Sequence, residues 1–186
     1  AYSSNVVAFW PDGRTQLLDK AQPQTSWDFL FEAAGPGCTY VFTRELMHSL
    51  KAAMLGSWSD LQNVSLHDWY FYSFARSRGF LWFIDARPSM DYRQHESNQV
   101  GANAGIGSLI MRYKTIHDGW WFSQVRQIVR LVGLERNSFV EPWLPLGRRQ
   151  LIKLSFSARD CRRRARDKLF FFCICWATAL VGSKAK

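Results

Sequence analysis

The stretch "HDWYFYSFARSRGFLWFID", His67 to Asp85, decides how the rest of the chain is read. Its first part carries aromatic residues at helical spacing and ends in a glycine, the residue that best tolerates the left-handed turn closing a helix. Its second part, "FLWFID", is a short apolar run of the kind that forms a buried strand. Helix followed directly by strand is the signature of an α/β layer, and the neighbouring segments repeat it.

Upstream, "GPG" at Gly35–Gly37 is a turn, and "CTYVF" after it reads as a strand. Thr43 is placed to cap a helix whose Leu46, Leu50 and Met54 recur every four residues until Gly56 stops it. Ser57 to Ser65 reads as a loop. Nearer the start, "VVAFW" (Val6 to Trp10) is a short strand, Pro11-Asp12-Gly13 a turn, and the residues after it a polar loop. Downstream, "SMDYRQ" is a second strand after "FLWFID". A helix begins near Asp118, with Trp121, Val125, Ile128 and Val132 along one face. The expected fold class is α/β, a mixed sheet with packed helices.

Charge divides the chain where pattern does not. Of 186 residues with a net charge of +9, the first 143 hold thirteen basic and thirteen acidic side chains. Residues 144–186 hold eleven against two, so the tail carries the whole excess. A neutral body with a basic arm argues against a surface built to coat nucleic acid, and no nucleic acid partner is expected. The four cysteines, Cys38, Cys161, Cys173 and Cys175, have no zinc-ligand spacing, which suits a reduced, cytoplasmic setting. The chain opens on a polar segment, not on a basic region followed by an apolar one, as a signal peptide would.

Two residues stand out chemically. Asp68 falls in the first turn of the second helix, where the helix dipole favours a negative charge. Ser65 and Asp68 have capping-box spacing, so one reading is structural. The other is a general base mounted on a rigid element. His95, in "YRQHESNQVG" (Tyr92 to Gly101), ends the strand that follows this helix. Alone it supplies too few ligands for a metal, and the chain contains neither an Asp-x-Asp nor a complete Gly-rich phosphate loop.

Taken in order, "GCTYVFTREL", "HDWYFYSFARSRGF" and "YRQHESNQVG" resemble the C-terminal half of a family 2 glycosyltransferase of the GT-A fold. The likeness is to the bacterial rhamnosyltransferase-like branch that builds O-antigen and capsular polysaccharides. The acidic pair of that family, usually Glu-Asp, is His67-Asp68 here. The resemblance implies an inverting transferase acting on a nucleotide-sugar donor and a glycan or lipid-linked acceptor. It makes Asp68 the catalytic base and His95 one ligand of a divalent metal, Mn or Mg, whose site is incomplete in this chain. It places Gly37, Cys38 and Thr39 against the sugar, His67 and Trp69 on the acceptor side, and Arg93, Gln94 and Asn98 near phosphate. Residues 1–143 would be the acceptor-side catalytic part. The nucleotide-binding half of the family, with its Asp-x-Asp, has no counterpart in this sequence, so a fragment is expected. The alternative is a non-catalytic glycan- or membrane-binding module.

The tail, "RDCRRRARDKLFFFCICWATALVGSKAK", joins an arginine run to thirteen uncharged residues, Leu169 to Val181. As a helix those residues span about 20 Å at ~1.5 Å each, short of a ~30 Å hydrocarbon core. Two readings remain: a helix buried against the domain, or one lying at an anionic membrane surface behind its arginines. The second places the protein in the cytoplasm, peripheral at the inner face of the plasma membrane.

Overall fold

The computed structural model describes residues 1–94 and 119–181. Among the described residues three strands form one small mixed sheet in the order β2-β1-β3. Strand β1, Tyr2–Phe9, is central, antiparallel to β2 (Thr15–Leu18) and parallel to β3 (Phe83–Arg93). Among the described residues there are seven α-helices, in chain order α1 Arg44–Gly56, α2 Trp58–Leu61, α3 His67–Ser77, α4 Trp120–Leu131, α5 Arg148–Ser155, α6 Ala158–Cys161 and α7 Ala165–Val181. The α/β reading holds, with helices packed about a small sheet.

Where local signals are strong, they set the elements. The Thr43 side chain accepts a hydrogen bond from the Leu46 amide at 3.3 Å and starts α1, which buries Leu46 and Leu50. Gly79 and Gly133, with φ of +78° and +74°, close α3 and α4 in the left-handed conformation that a side chain would strain. In α4 the stripe Val125, Ile128, Val132 is buried as its spacing requires.

Elsewhere the tertiary structure departs from the pattern. "CTYVF" is not a strand: Gly37–Thr39 form a 3-10 turn, and only Val41 reaches the sheet, through one antiparallel bridge to Tyr2. The turn prevails because Tyr40 folds back, its hydroxyl donating to Gly35 O at 3.1 Å and accepting from Gly35 N at 3.3 Å. "FLWFID" and "SMDYRQ" are not two strands, and the first is not buried throughout. They lie in and beside a single β3, which occupies a sheet edge, and Leu81 and Phe83 are 89% and 62% exposed. The edge position also accommodates Pro88, at an irregularity in the pairing with β1. The loops at 14–35 and 57–65 contain β2 and the single turn of α2. The Ser65 capping box does not form: the N-cap of α3 is Leu66, with no side-chain cap, and Ser65 Oγ instead accepts from Trp120 Nε1 at 3.3 Å.

The core gathers α3 and its neighbours, with Tyr70, Tyr72 and Phe74 enclosed by Leu30, Phe31, Phe122 and Ile128. The tail belongs to this core. Phe171, Ile174, Cys175 and Ala179, on one face of α7, are buried, and the Phe171 ring meets Phe31 edge-on at 5.0 Å between centroids. Its arginines turn inward too. Arg163 is enclosed, 3.5 Å from Asp28 and 3.4 Å from Glu32. Arg162 lies 3.5 Å from Glu32, and Arg164 3.0 Å from Asp19. Asp28, fully buried, also accepts from Tyr72 at 2.8 Å and from Arg76 at 3.2 Å. Guanidinium groups suit this role because one planar head can meet several oxygens at once.

Candidate active site

The central strand supplies the scaffold of the site. Ser4 N donates to Thr39 Oγ1 at 3.2 Å, and Thr39 Oγ1 donates to Pro36 O at 2.8 Å, so β1 holds the Gly35–Thr39 turn from within. Asn5 holds the opposite wall: its Oδ1 accepts from the amides of Lys20 (2.6 Å) and Ala21 (3.1 Å). These buried polar residues leave the strand short of apolar side chains, but each has partners, as burial demands.

Asp68 stands in the first turn of α3 against this turn. A Cβ added to Gly37 would lie 3.0 Å from Asp68 Cβ and 3.3 Å from His67 Nε2. Only glycine permits that approach without displacing one of them. Asp68 Oδ1 accepts from the Trp69 amide at 2.8 Å, and among the described residues the carboxylate has no ion pair. Desolvation raises its pKa above the ordinary carboxylate value, opposed by the Trp69 amide and by the nearby charges of His67 and Lys20. A half-buried carboxylate with a raised pKa, and with no hydrogen bond on Oδ2 among the described residues, is equipped to take a proton.

The expected neighbours are partly assembled. Gly37, Cys38, His67 and Asp68 come together: Cys38 is exposed, and its thiol pKa is raised by desolvation and then by the Asp68 charge. The exposed His67 packs edge-on to Phe71 at 5.6 Å. Thr39 is buried and its hydroxyl is engaged with the backbone, so it shapes the turn. Trp69 does not face an acceptor. Its ring is buried, donates from Nε1 to Phe29 O at 3.0 Å and stacks on Trp121, because its place in the third position of α3 points into the core.

Arg93 and Gln94 lie at the far end of β1: Gln94 N donates to Phe9 O at 2.9 Å, and the Arg93 guanidinium covers the Phe9 ring at 5.6 Å. Phe9 is five residues beyond Ser4, roughly 17 Å along a strand at ~3.3 Å per residue. His95 and Asn98 lie outside the described residues. Among the described residues no three His, Cys, Asp or Glu side chains gather to hold a metal ion.

Lys20 was not singled out in the sequence. It is an exposed residue, and the protein around it partly desolvates its ammonium. That desolvation lowers its pKa, while Glu32 acts to raise it. A Cβ added to Gly35 would lie 3.8 Å from Lys20 Cβ, and one added to Gly37 would lie 3.0 Å from Asp68 Cβ, so the two charged side chains flank one turn. Nothing in "LLDKAQP" marks Lys20 before the fold brings it there.

The dTDP-rhamnosyl transferase RfbG of Shigella flexneri is 43% identical to this chain over 169 residues. The chain is a relative of a glycosyltransferase. The match takes in 91% of the chain and 58% of that transferase, so the chain spans a little over half the length of its relative. No family model and no solved structure matches the chain. The order of motifs that carried the resemblance therefore agrees with a likeness extending over nearly the whole sequence.

Proposed function

We propose that this chain forms the acceptor-side catalytic part of an inverting glycosyltransferase of the GT-A fold, acting in cell-surface polysaccharide synthesis. The relative's name points to a dTDP-linked rhamnose as donor. In the reaction, an acceptor hydroxyl on a glycan or lipid-linked sugar gives its proton to the Asp68 carboxylate. Its oxygen forms a bond to the anomeric carbon as the bond from that carbon to the diphosphate breaks, and the electron pair leaves with the diphosphate. One displacement inverts the anomeric centre.

The observation that carries this reading is Asp68 itself: held on a helix start, pressed against Gly37, free of ion pairs among the described residues and made more basic by desolvation. His67 and Cys38 form the rim at which the acceptor would be steered. Arg93 and Gln94, separated from Asp68 by much of β1, are assigned to the donor's phosphate side together with Asn98. His95 completes the proposal as one ligand of a divalent cation, Mn or Mg, which when bound neutralises the leaving diphosphate. The reading puts the protein in the cytoplasm, at the inner face of the plasma membrane.

The test is Asp68→Asn. Transfer from dTDP-rhamnose should fall by about 10²- to 10⁴-fold, the typical cost of losing a general base, while dTDP still binds. A variant that transfers sugar at the normal rate would overturn the assignment.

A further inference from the structure

With Arg162, Arg163 and Arg164 occupied by Glu32, Asp28 and Asp19, the tail's outward face must be judged on the residues that remain. Helix α7 is apolar nearly all round, and its buried face is already spent on the core. Its opposite face is not polar. Leu169 and Leu180 are 66% and 72% exposed, with Cys173 between them, and Arg166 lies one turn before Leu169 in line with them. On α5 and its C-cap, which pack beside α7, Arg149, Lys153 and the capping Phe156 recur at i, i+4 and i+7, all exposed, Phe156 by 71%. The rings of Phe156 and Phe172 meet edge-on at 5.9 Å, and Trp176 adjoins Phe172 at 6.1 Å, so the two helix faces are one surface.

We infer that this surface seats on an anionic lipid bilayer. Apolar side chains flanked by cations on helices lying side by side are what an interfacial contact requires. The charge is one-sided: residues 144–186 have only two acids, and of these Asp167 is turned toward Arg162 (3.8 Å) and Arg166 (3.5 Å). A protein partner would need an acidic, apolar counterpart. A bilayer of anionic lipid supplies both properties without one. The helices rest on the surface, since none among the described residues is long and apolar enough to cross a membrane. The arginine run, the strongest lipid-binding signal in the sequence, takes no part; Arg149, Lys153 and Arg166 do, the last because its side chain stays 71% exposed beside Asp167. The contact is independent of the catalytic reading.

Co-sedimentation with vesicles decides it. The protein should bind vesicles of phosphatidylcholine with phosphatidylglycerol, and not phosphatidylcholine alone. At about fivefold per cation near the surface, Arg149→Gln, Lys153→Gln and Arg166→Gln together should lower the partition coefficient about a hundredfold. Leu169→Glu with Leu180→Glu should remove binding while the circular dichroism spectrum is kept. Asp68→Asn should leave binding unchanged and change only transfer, so failure of one proposal is distinct from failure of the other. Equal binding by the triple variant, or no preference for anionic vesicles, would overturn the inference. So would a dimer in light scattering that Leu169→Glu dissolves, which would make the covering partner a second copy of the chain.

Discussion

Asp28 and Asp68 are both carboxylates whose pKa is raised by desolvation, and they have opposite uses. Asp28 is wholly enclosed and met by Tyr72, Arg76 and Arg163, so that every approach is filled by the protein. Asp68 is half-buried, accepts one amide hydrogen bond and has no ion pair among the described residues. Burial raises the basicity of both. Only the one left partly open can use it on a substrate. The lesson is that a perturbed carboxylate marks a reactive site when its partners are few, and a structural joint when they are many.

The comparison breaks most readily at Asp68. Beyond the loss of transfer, Asp68→Asn should leave the melting temperature at neutral pH unchanged or slightly higher. The sign follows from the raised pKa: such an acid favours the folded state while protonated, and that contribution is lost as pH rises through its folded pKa. Activity should run the other way, rising with pH as the carboxylate ionises, with its acidic limb centred above the ordinary value of 3.8. An earlier melt with normal turnover would make Asp68 a structural residue like Asp28.

At the joint, Arg163→Met should cost about 3 kcal/mol, the low end for breaking a buried pair, because Asp28 keeps Arg76 and Glu32 keeps Arg162. Calorimetry should show a fall of roughly 10 °C, and the detached tail should become open to protease. A loss under about 1 kcal/mol would mean that the buried pair is no better than a surface one.

Gly37→Ala sharpens the comparison from the other side. Its methyl would sit 3.0 Å from Asp68 Cβ, backbone-proximal and unable to swing away. Turnover should drop on the order of tenfold by misplacing the base, with dTDP affinity and melting temperature little changed. Gly37→Ser should be no better than Gly37→Ala, since space and not polarity is what the position supplies. The smallest effect is expected at Thr43→Ala, which contacts neither carboxylate: about 1 kcal/mol of stability from the lost cap of α1, and no change in turnover.

Much of this was legible before the fold. The Thr43 cap, the glycine at the end of α3 and the stripe along α4 act through neighbours within a turn or two, and such signals survive in the chain itself. Asp68 was legible for the same reason, as a carboxylate in a helix's first turn set among motifs in a family's order. What the sequence could not contain was partnership at long range. The same "RRR" that reads as a lipid-facing cluster meets Asp19, Asp28 and Glu32, which lie more than a hundred residues earlier. "CTYVF" has strand residues but loses the ladder to a turn fastened by Tyr40 and Thr39, and "FLWFID" is apolar yet largely at an edge. Lys20 becomes a neighbour of Asp68 only because Asn5 draws its loop to the sheet. Local backbone preference and periodicity were set by the sequence alone; which charges are neutralised and which carboxylate stays open were set by the packing, because Coulombic and desolvation energies depend on what surrounds a group in space.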